Sequence, residues 1–300
     1  MKGCARTCLL WIVGWAAAAA AFYYYFQGLG VIEPGIWWAS VGAGLCVVIV
    51  IAYVLGIIER LRERSMLLEA AMGATPDDGK WVAVSGTIRS LNPLLGPFSG
   101  APVVTYTYKI SRTERSGKSS SEVTYYDGKG LASSTIATRT GAIRLLAVPT
   151  LEVKGELLDY RTAIEHAREY VSTTPFQTSS TPKAEKIGVT QESTDDDGVF
   201  RVDSKYFSER DVDVGDCQLT ELHIKQGEPV CAFGLYSQAR HGLIPHPNWA
   251  RQTRIMRGDA NTVAAQLRKK AIGYAIGTLF FSGAMVGIVK LYQHFAALAS

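Results

Sequence analysis

The sequence predicts a mostly-β domain of the α+β class, a small antiparallel barrel or sandwich, which three transmembrane helices anchor in a membrane. The first observation behind this prediction is a set of three long uncharged apolar runs in a chain of 300 residues, 47% of them hydrophobic. The second is the alternation of apolar and polar residues between the second and third runs, which is typical of strands with one wet face. Residues 93–110, PLLGPFSGAPVVTYTYKI, lead from a Gly- and Pro-rich turn into such a strand.

The uncharged apolar runs cover residues 9–26, 36–58 and 271–289. A helix of about 20 apolar residues crosses the hydrocarbon core of a bilayer, and each run has about this length. We therefore expect transmembrane helices at about 9–26, 36–58 and 271–291, followed by a short tail at 292–300. Small residues are frequent in all three runs, which suits close helix packing in lipid.

The first run has an alternative interpretation as a signal peptide, because Lys2 and Arg6 precede an apolar core that contains alanines. The bulky aromatic residues at 22–26 directly follow the alanines, where a signal peptide would have a polar cleavage region. This favours a retained helix that forms a hairpin with the second run.

Lysine and arginine predict the orientation in the membrane. The loop 27–35 has none. The cations before the first run, after the second and before the third are Lys2, Arg6, Arg60, Arg62, Arg64, Arg268, Lys269 and Lys270. The positive-inside rule then places the N-terminus and residues 59–270 in the cytoplasm, and we expect a multi-pass protein of a bacterial inner membrane. The net charge of +4 comes mostly from these flanks, so we expect contact with membrane lipid and no binding of nucleic acid.

The segment between the second and third runs begins with a juxtamembrane helix and linker at 59–79. A β-domain at 80–258 follows, and its polar insertion at 172–198 is rich in Ser, Thr, Pro and Asp. Its predicted elements are strands at 80–88, 102–111 and 119–128, two strands around the turn RTGA within 136–149, a helix at 157–171, and strands at 199–204, 216–224 and 228–237. A second juxtamembrane helix at 259–270, with Asp259 as its N-cap, runs into the third apolar helix.

The strand at 102–111 is predicted to be central to this domain. Alternation places Val103, Thr105 and Thr107 on one face and Val104, Tyr106 and Tyr108 on the other. We expect the tyrosine face to be the core, because tyrosine buries a large area and can keep its hydroxyl at the rim. Truncation of Tyr106 to alanine should then cost about 3 kcal/mol.

The turn before this strand, GPFSG at residues 96–100, contains a serine between glycines. It does not match the G-x-S-x-G nucleophile elbow, and a strand follows it where that motif needs a helix. We therefore interpret the turn as structural, with Ser99→Ala costing about 1 kcal/mol or less for one turn hydrogen bond.

Several motifs in order resemble the GIDE domain family, whose domain lies beside the membrane in the mitochondrial ligase MULAN. The matching segments are VSGTIRS, PFSGAPVVTYTYKI, TGAIRLLAVPTLEV, CQLTELHIKQGEPVCAFG and GDANTVAAQLRKKAIGYAIGTLFF. The positions that carry the resemblance are Gly86, Ser90, Pro97, Ser99, Gly100, Tyr106, Glu221, Ile224, Gly227 and Gly234. The similarity runs from Trp81 to Leu291 without the insertion at 172–198, and Val103 and Val104 stand where relatives carry Cys and an aromatic residue.

The resemblance brings with it the label of a RING-type ubiquitin ligase, which the residues do not support. A RING domain needs eight Cys or His ligands in paired short spacings for two zinc ions. The candidates between the second and third runs are Cys217, Cys231, His166, His223, His241 and His246, and no C-x-x-C occurs. The eleven residues after 289 are too few for a zinc domain, so we expect no intrinsic ubiquitin transfer.

The spacing of the other candidate residues does not match known metal-binding or cofactor-binding motifs. His241 and His246 lie five apart with Asp259 as the nearest downstream carboxylate, and Asp195 to Asp197 lacks the spacing of a calcium loop. Cys217 and Cys231 fit small buried thiols, and no phosphate loop or dinucleotide fingerprint occurs. We therefore expect no catalytic residue, no metal site and no cofactor.

Two classes of function follow from these features. The first is a non-enzymatic interaction or scaffolding module, whose strand edges or insertion bind a protein partner, with homo-oligomerisation left open. The second is an accessory subunit of a membrane enzyme or transporter complex. The three apolar runs contain no ionisable residue that would mark a transport path, which favours anchoring.

Overall fold

The computed structural model of the chain describes residues 2–29, 35–116, 119–155, 158–179, 199–206, 212–248 and 251–299. The chain forms two compact units, one made of Met1–Ser65 with Ala265–Ser300 and the other of Met66–Ala264. The helices are α1 (Lys2–Gly28), α2 (Gly35–Ala71), α3 (Tyr160–Thr173) and α4 (Ala260–Ala299). The strands are β1 (Trp81–Ser90), β2 (Leu94–Leu95), β3 (Pro102–Ser116), β4 (Ser119–Leu131), β5 (Ser134–Thr138), β6 (Gly141–Leu145), β7 (Thr150–Glu152), β8 (Gln177–Ser179), β9 (Phe200–Tyr206), β10 (Gln218–Lys225), β11 (Pro229–Ser237), β12 (Gly242–Ile244) and β13 (Arg254–Arg257).

The first unit consists of apolar helices. Within the described ranges, three helices are long and apolar enough to cross a membrane, which confirms the three apolar helices of the prediction. Gly44 of α2 lies so close to α1 that an added Cβ would come within 2.7 Å of the Ala19 backbone nitrogen. The rings of Phe26 and Tyr292 are 5.2 Å apart, and the Tyr292 hydroxyl donates to the Gly35 carbonyl at 3.0 Å.

The last helix extends through the residues predicted as a short tail. α4 begins at Ala260 after its N-cap Asp259, which accepts a hydrogen bond from the Thr262 amide at 2.9 Å. It then continues to Ala299, so residues 292–299 are helical. Its last ten residues contain no Gly or Pro that would end a helix.

The second unit contains a closed barrel of five strands. The order around it is β1, β5, β6, β12, β11 and back to β1, with antiparallel pairs except for the parallel pair of β6 and β12. This connectivity is that of the five-stranded Greek-key barrel called the OB-fold, which by itself does not specify a function. The barrel core includes Val84, Ile88, Ile136, Val230 and Leu243.

The corner of the barrel depends on a glycine. β1 pairs with β11 through Thr87 and with β5 from Thr87 onward, so it bends from one neighbour to the other. A Cβ on Gly86 would collide with the Ala137 carbonyl oxygen, and a glycine is therefore required where these backbones approach.

A second, six-stranded sheet has the order β10, β3, β4, β9 and β8, with β2 also paired to β3. Ala163 and Ala167 of α3 are buried with Tyr106 and Tyr108 of β3, so the tyrosine face is a core, as expected. The fold class is thus mixed, with a closed barrel, a second sheet and apolar helices.

The predicted antiparallel architecture needs correction, because β6 with β12, β7 with β13, and β8 with β9 are parallel pairs. Parallel neighbours need long connections. The chain between β6 and β12, and between β7 and β13, carries α3 and strands of the second sheet, whereas twenty residues, 180–199, separate β8 from β9. The predicted polar insertion is also partly structured. Its first residues end α3, and Gln177–Ser179 forms β8, while residues 180–198 lie outside the described residues.

A β-bulge overturns the predicted faces at the start of β3. The pairing with β10 shifts between Thr105 and Val103, so Val104 is an extra residue in β3. Val104 consequently packs in the barrel core, whereas Val103 joins the cluster that contains Tyr106 and Tyr108.

Candidate functional site

The structure joins two of the motif segments through the Glu221 side chain, whose atoms are fully buried. Glu221 Oε2 accepts hydrogen bonds from the Phe98 amide at 2.6 Å and the Ser99 amide at 3.1 Å. Glu221 Oε1 accepts one from the Ser99 hydroxyl at 2.6 Å and lies 2.7 Å from His223 Nδ1. This carboxylate therefore fastens the turn at 96–101 to strand β10.

The hydrogen bonds determine the charge of Glu221. Burial by itself would raise the pKa of this carboxyl, but the bonds from His223, from the Ser99 hydroxyl and from the two amides outweigh it and lower the pKa. The carboxylate stands between Ser99 and His223, and the serine proton points at Glu221 Oε1. A base that activates a serine must take its proton, and a carboxylate whose pKa is lowered is a weak base, with its Oε2 atom already bonded to two amides. This geometry therefore favours a structural role for Ser99.

Helix α3 closes the other side of the turn. His166 Nδ1 lies 3.0 Å from the Phe98 carbonyl oxygen. Gly100 has φ +62°, and a Cβ there would lie 2.8 Å from His166 Cε1. Both the backbone conformation and the histidine ring therefore require glycine at this position.

A second polar network lies on the same face of the sheet. Asp203 Oδ1 accepts hydrogen bonds from the Tyr108 hydroxyl at 2.6 Å and the Tyr170 hydroxyl at 3.0 Å. The Tyr106 and Tyr170 hydroxyls are 3.1 Å apart. Residues from β3, β9 and α3 thus meet in one network beneath the helix.

Two glycines in β4 make this network geometrically feasible. Gly128 pairs with both Tyr108 and Asp203, and a Cβ there would lie 2.5 Å from Asp203 Oδ1 and 2.6 Å from Tyr108 Cε1. A Cβ on Gly130 would lie 2.5 Å from Tyr106 Cε1. The tyrosines can therefore lie across β4 and reach β9 because no side chain stands between them.

Burial raises the pKa values of the acidic groups in this network. It raises the pKa of Asp203, although the two tyrosine hydroxyls and Arg201 favour the charged form. It also raises the pKa of Tyr106 to about 12 and those of Tyr108 and Tyr170 further. The three phenols consequently remain hydrogen-bond donors at neutral pH.

A cavity of about 560 Å³ opens beside the network. Its wall is formed by the segment 93–96, the C-terminal end of α3 with the residues after it, and β9. The residues that line it are Pro93, Leu94, Leu95, Gly96, Tyr170, Thr173, Thr174, Pro175, Gln177, Arg201 and Asp203. This volume lies within the range of small-molecule pockets, roughly 300–1,000 Å³.

The remaining candidates from the sequence lie elsewhere. Cys217 and Cys231 are buried free thiols, as expected, and burial raises the pKa of Cys231 to about 11. His241 lies in a turn at φ +47°, and His246 accepts a hydrogen bond from the Asn248 amide at 2.9 Å. In the part of the chain that the structure describes, no three His, Cys, Asp or Glu side chains form a metal-binding group. Asp195 to Asp197 lie outside the described residues.

Sequence reasoning did not identify Tyr170, Arg201 or Asp203 as site residues. The alternating glycines in YYDGKG, residues 125–130, were the available signal, because glycine within a strand often marks a close approach. Spacing along the chain does not reveal which side chains lie over those glycines.

Comparisons with models of known protein families, with curated proteins and with solved structures found no match to this chain.

Proposed function

We propose that this chain is a GIDE-like, non-enzymatic interaction module of a bacterial inner membrane, with its β-unit in the cytoplasm. Three helices that could cross a membrane support the anchoring, and the lysines and arginines beside the apolar runs support the orientation. The places of three motif residues support the kinship: Gly86 lies at the barrel corner, and Glu221 and Ser99 join the turn at 96–101 to β10.

The observation that carries an interaction role is the hairpin of β3 and β4. β10 pairs with β3 up to Ser111, and β9 pairs with β4 from Tyr126, so the hairpin extends beyond both neighbours. From Arg112 to Ser116 and from Ser119 to Thr124 its strands pair with each other, and no other described strand pairs with them. Unpaired strand edges are templates for strand addition by a partner.

Crosslinking tests this docking surface. A photo-crosslinking amino acid at Thr113, in the hairpin, should give an adduct of defined mass in native membranes. The same group at Arg144, an exposed barrel residue, is the matched control and should not give that adduct. An adduct of twice the chain mass would identify a second copy as the partner, and identical products from both positions would reject the hairpin.

Reporter fusions test the orientation separately. A reporter that is active only in the cytoplasm should be active when inserted after Ser180 and inactive when fused after Ser300. The reverse pair of results would overturn the proposed sidedness and leave the crosslinking result standing.

A further inference from the structure

The cavity beside α3 contains a buried carboxylate with an unused oxygen. Asp203 is 8% exposed, and its Oδ1 atom accepts both tyrosine hydroxyls. Its Oδ2 atom has no hydrogen-bond partner within the described ranges, and the residue lines the cavity. A buried carboxylate with a free acceptor is well suited to a cationic donor from a ligand.

The opposite charge lies two residues away on the same strand. Arg201 is exposed, lines the same cavity and forms no hydrogen bond or ion pair with any residue that the structure describes. Its guanidinium offers a planar set of donors that matches a carboxylate. The cavity therefore presents one anion and one cation to a bound molecule.

The position of the two residues on one strand suggests the size of the ligand. The Cα atoms of residues i and i+2 of a strand are about 6.6 Å apart, and their side chains lie on the same face. A peptide of two residues extends by about 7 Å, so its ammonium and carboxylate can reach Asp203 and Arg201 together.

The remaining walls select for apolar side chains. Pro93, Leu94, Leu95 and Pro175 contribute hydrocarbon surface around the polar pair. Ligand pockets commonly combine such apolar walls with a few fixed polar groups. The tyrosine hydroxyls hold Asp203 in position before the ligand arrives.

We propose that this cavity binds a short apolar peptide with free termini, its ammonium on Asp203 and its carboxylate on Arg201. This site goes beyond the proposed interaction role and needs neither the hairpin nor a particular orientation in the membrane. Failure of the crosslinking experiment would leave it standing, and its own failure would leave the interaction role standing.

Isothermal titration calorimetry of the full chain in detergent, with the dipeptide Leu-Leu as probe, tests the site. We expect saturable binding that weakens about tenfold or more in Arg201→Gln and in Asp203→Asn, since each substitution removes a charge-assisted contact. Arg89→Gln changes an exposed arginine of the barrel and is the matched control that should bind as the unchanged protein does.

Changes in the probe keep the test valid if Asp203→Asn does not fold. N-acetyl-Leu-Leu lacks the ammonium and Leu-Leu amide lacks the carboxylate, and each should bind about tenfold or more weakly than Leu-Leu. The proposal is rejected if Leu-Leu does not bind, or if all three probes and all variants give equal affinity. Binding of phosphoethanolamine in place of Leu-Leu, lost in Arg201→Gln, would reject the peptide and identify a headgroup site.

Discussion

At the scale of single residues, two buried carboxylates organise the second sheet in opposite electrostatic ways. Hydrogen-bond donors around Glu221 lower its pKa, whereas burial raises the pKa of Asp203. The first holds the turn at 96–101 against β10, and the second joins the tyrosines of β3 and α3 to β9. Their contributions to the stability of the protein should therefore respond differently to substitution and to pH.

Loss of the Ser99 hydroxyl should destabilise the protein by about 2 kcal/mol, because hydrogen bonds to charged groups contribute about 1.5–3 kcal/mol. This is more than expected from a turn hydrogen bond alone, since the partner is the buried Glu221 carboxylate. Urea unfolding of Ser99→Ala in detergent measures it. Ser172→Ala, which removes an exposed hydroxyl bonded to the Glu169 carbonyl, is the control and should change stability by less than about 0.5 kcal/mol. Equal losses would contradict the role of Glu221.

Acid should affect the two carboxylates in opposite directions. The pKa of Glu221 is lowered in the folded state, so its contribution is complete above the ordinary glutamate pKa and is lost as pH falls through the lowered value. The pKa of Asp203 is raised, so its contribution is complete below the ordinary aspartate pKa and decreases as pH rises through the raised value.

Urea unfolding between pH 3 and pH 7 measures this difference. The stability lost in Glu221→Gln, relative to the unchanged protein, should shrink as pH falls. The stability lost in Asp203→Asn should grow over the same range. Parallel trends for the two variants would show that the pKa values of the two carboxyl groups are not shifted in opposite directions.

At the scale of elements, β4 separates β3 from β9 but leaves space for side chains of β3 to cross it. Its glycines let tyrosines from β3 reach across to β9, and α3 adds Tyr170 to the same network. The absence of side chains at Gly128 and Gly130 is therefore what allows this network to form.

Adding one methyl group at Gly128 should lower the free energy of unfolding. In Gly128→Ala the new Cβ would stand 2.5 Å from Asp203 Oδ1, so the network must shift, and overpacking of this kind typically costs about 1–3 kcal/mol. Thermal unfolding measures the loss. Lys129→Ala, on the other face of the same strand, should leave the midpoint nearly unchanged. An unchanged unfolding midpoint in Gly128→Ala would mean that the tyrosines do not lie across β4.

At the scale of the whole molecule, the unit Met66–Ala264 contains the barrel core, the second sheet and both carboxylate networks. Its N-terminal linker is tied to the barrel, since the Gly79 amide donates to the Tyr236 carbonyl at 3.0 Å and the Gln238 amide to Asp78 Oδ1 at 2.7 Å. We expect this unit to be an independent folding domain.

A fragment of residues 66–264 should accordingly unfold cooperatively without detergent. A fragment of residues 80–258 lacks the two linker hydrogen bonds, which contribute about 1 kcal/mol each and alone would lower the midpoint by about 4–8 °C. It also lacks the buried side chains of Leu67, Val263 and Ala264, so it should unfold at least that much lower. Circular dichroism during heating measures both midpoints. Aggregation of the longer fragment, or a broad transition without a midpoint, would contradict an independent domain.

The sequence alone determined the three apolar helices and most of the strands. Both depend on local composition and on alternation over a few residues, and the continuous helices from 35 to 71 and from 260 to 299 follow the same local preferences. The turn at 96–100 was also accessible, because its Gly and Pro residues indicate a chain reversal before β3.

Tertiary structure decided the features that depend on distant partners. Barrel closure needs β1 to meet β11, and the bulge at Val104 moves that side chain into the barrel core against the local alternation. The network of Tyr108, Tyr170 and Asp203 joins residues up to 95 positions apart. No pattern within a short window contains such information, since the pairing that brings these groups together is a property of the folded chain.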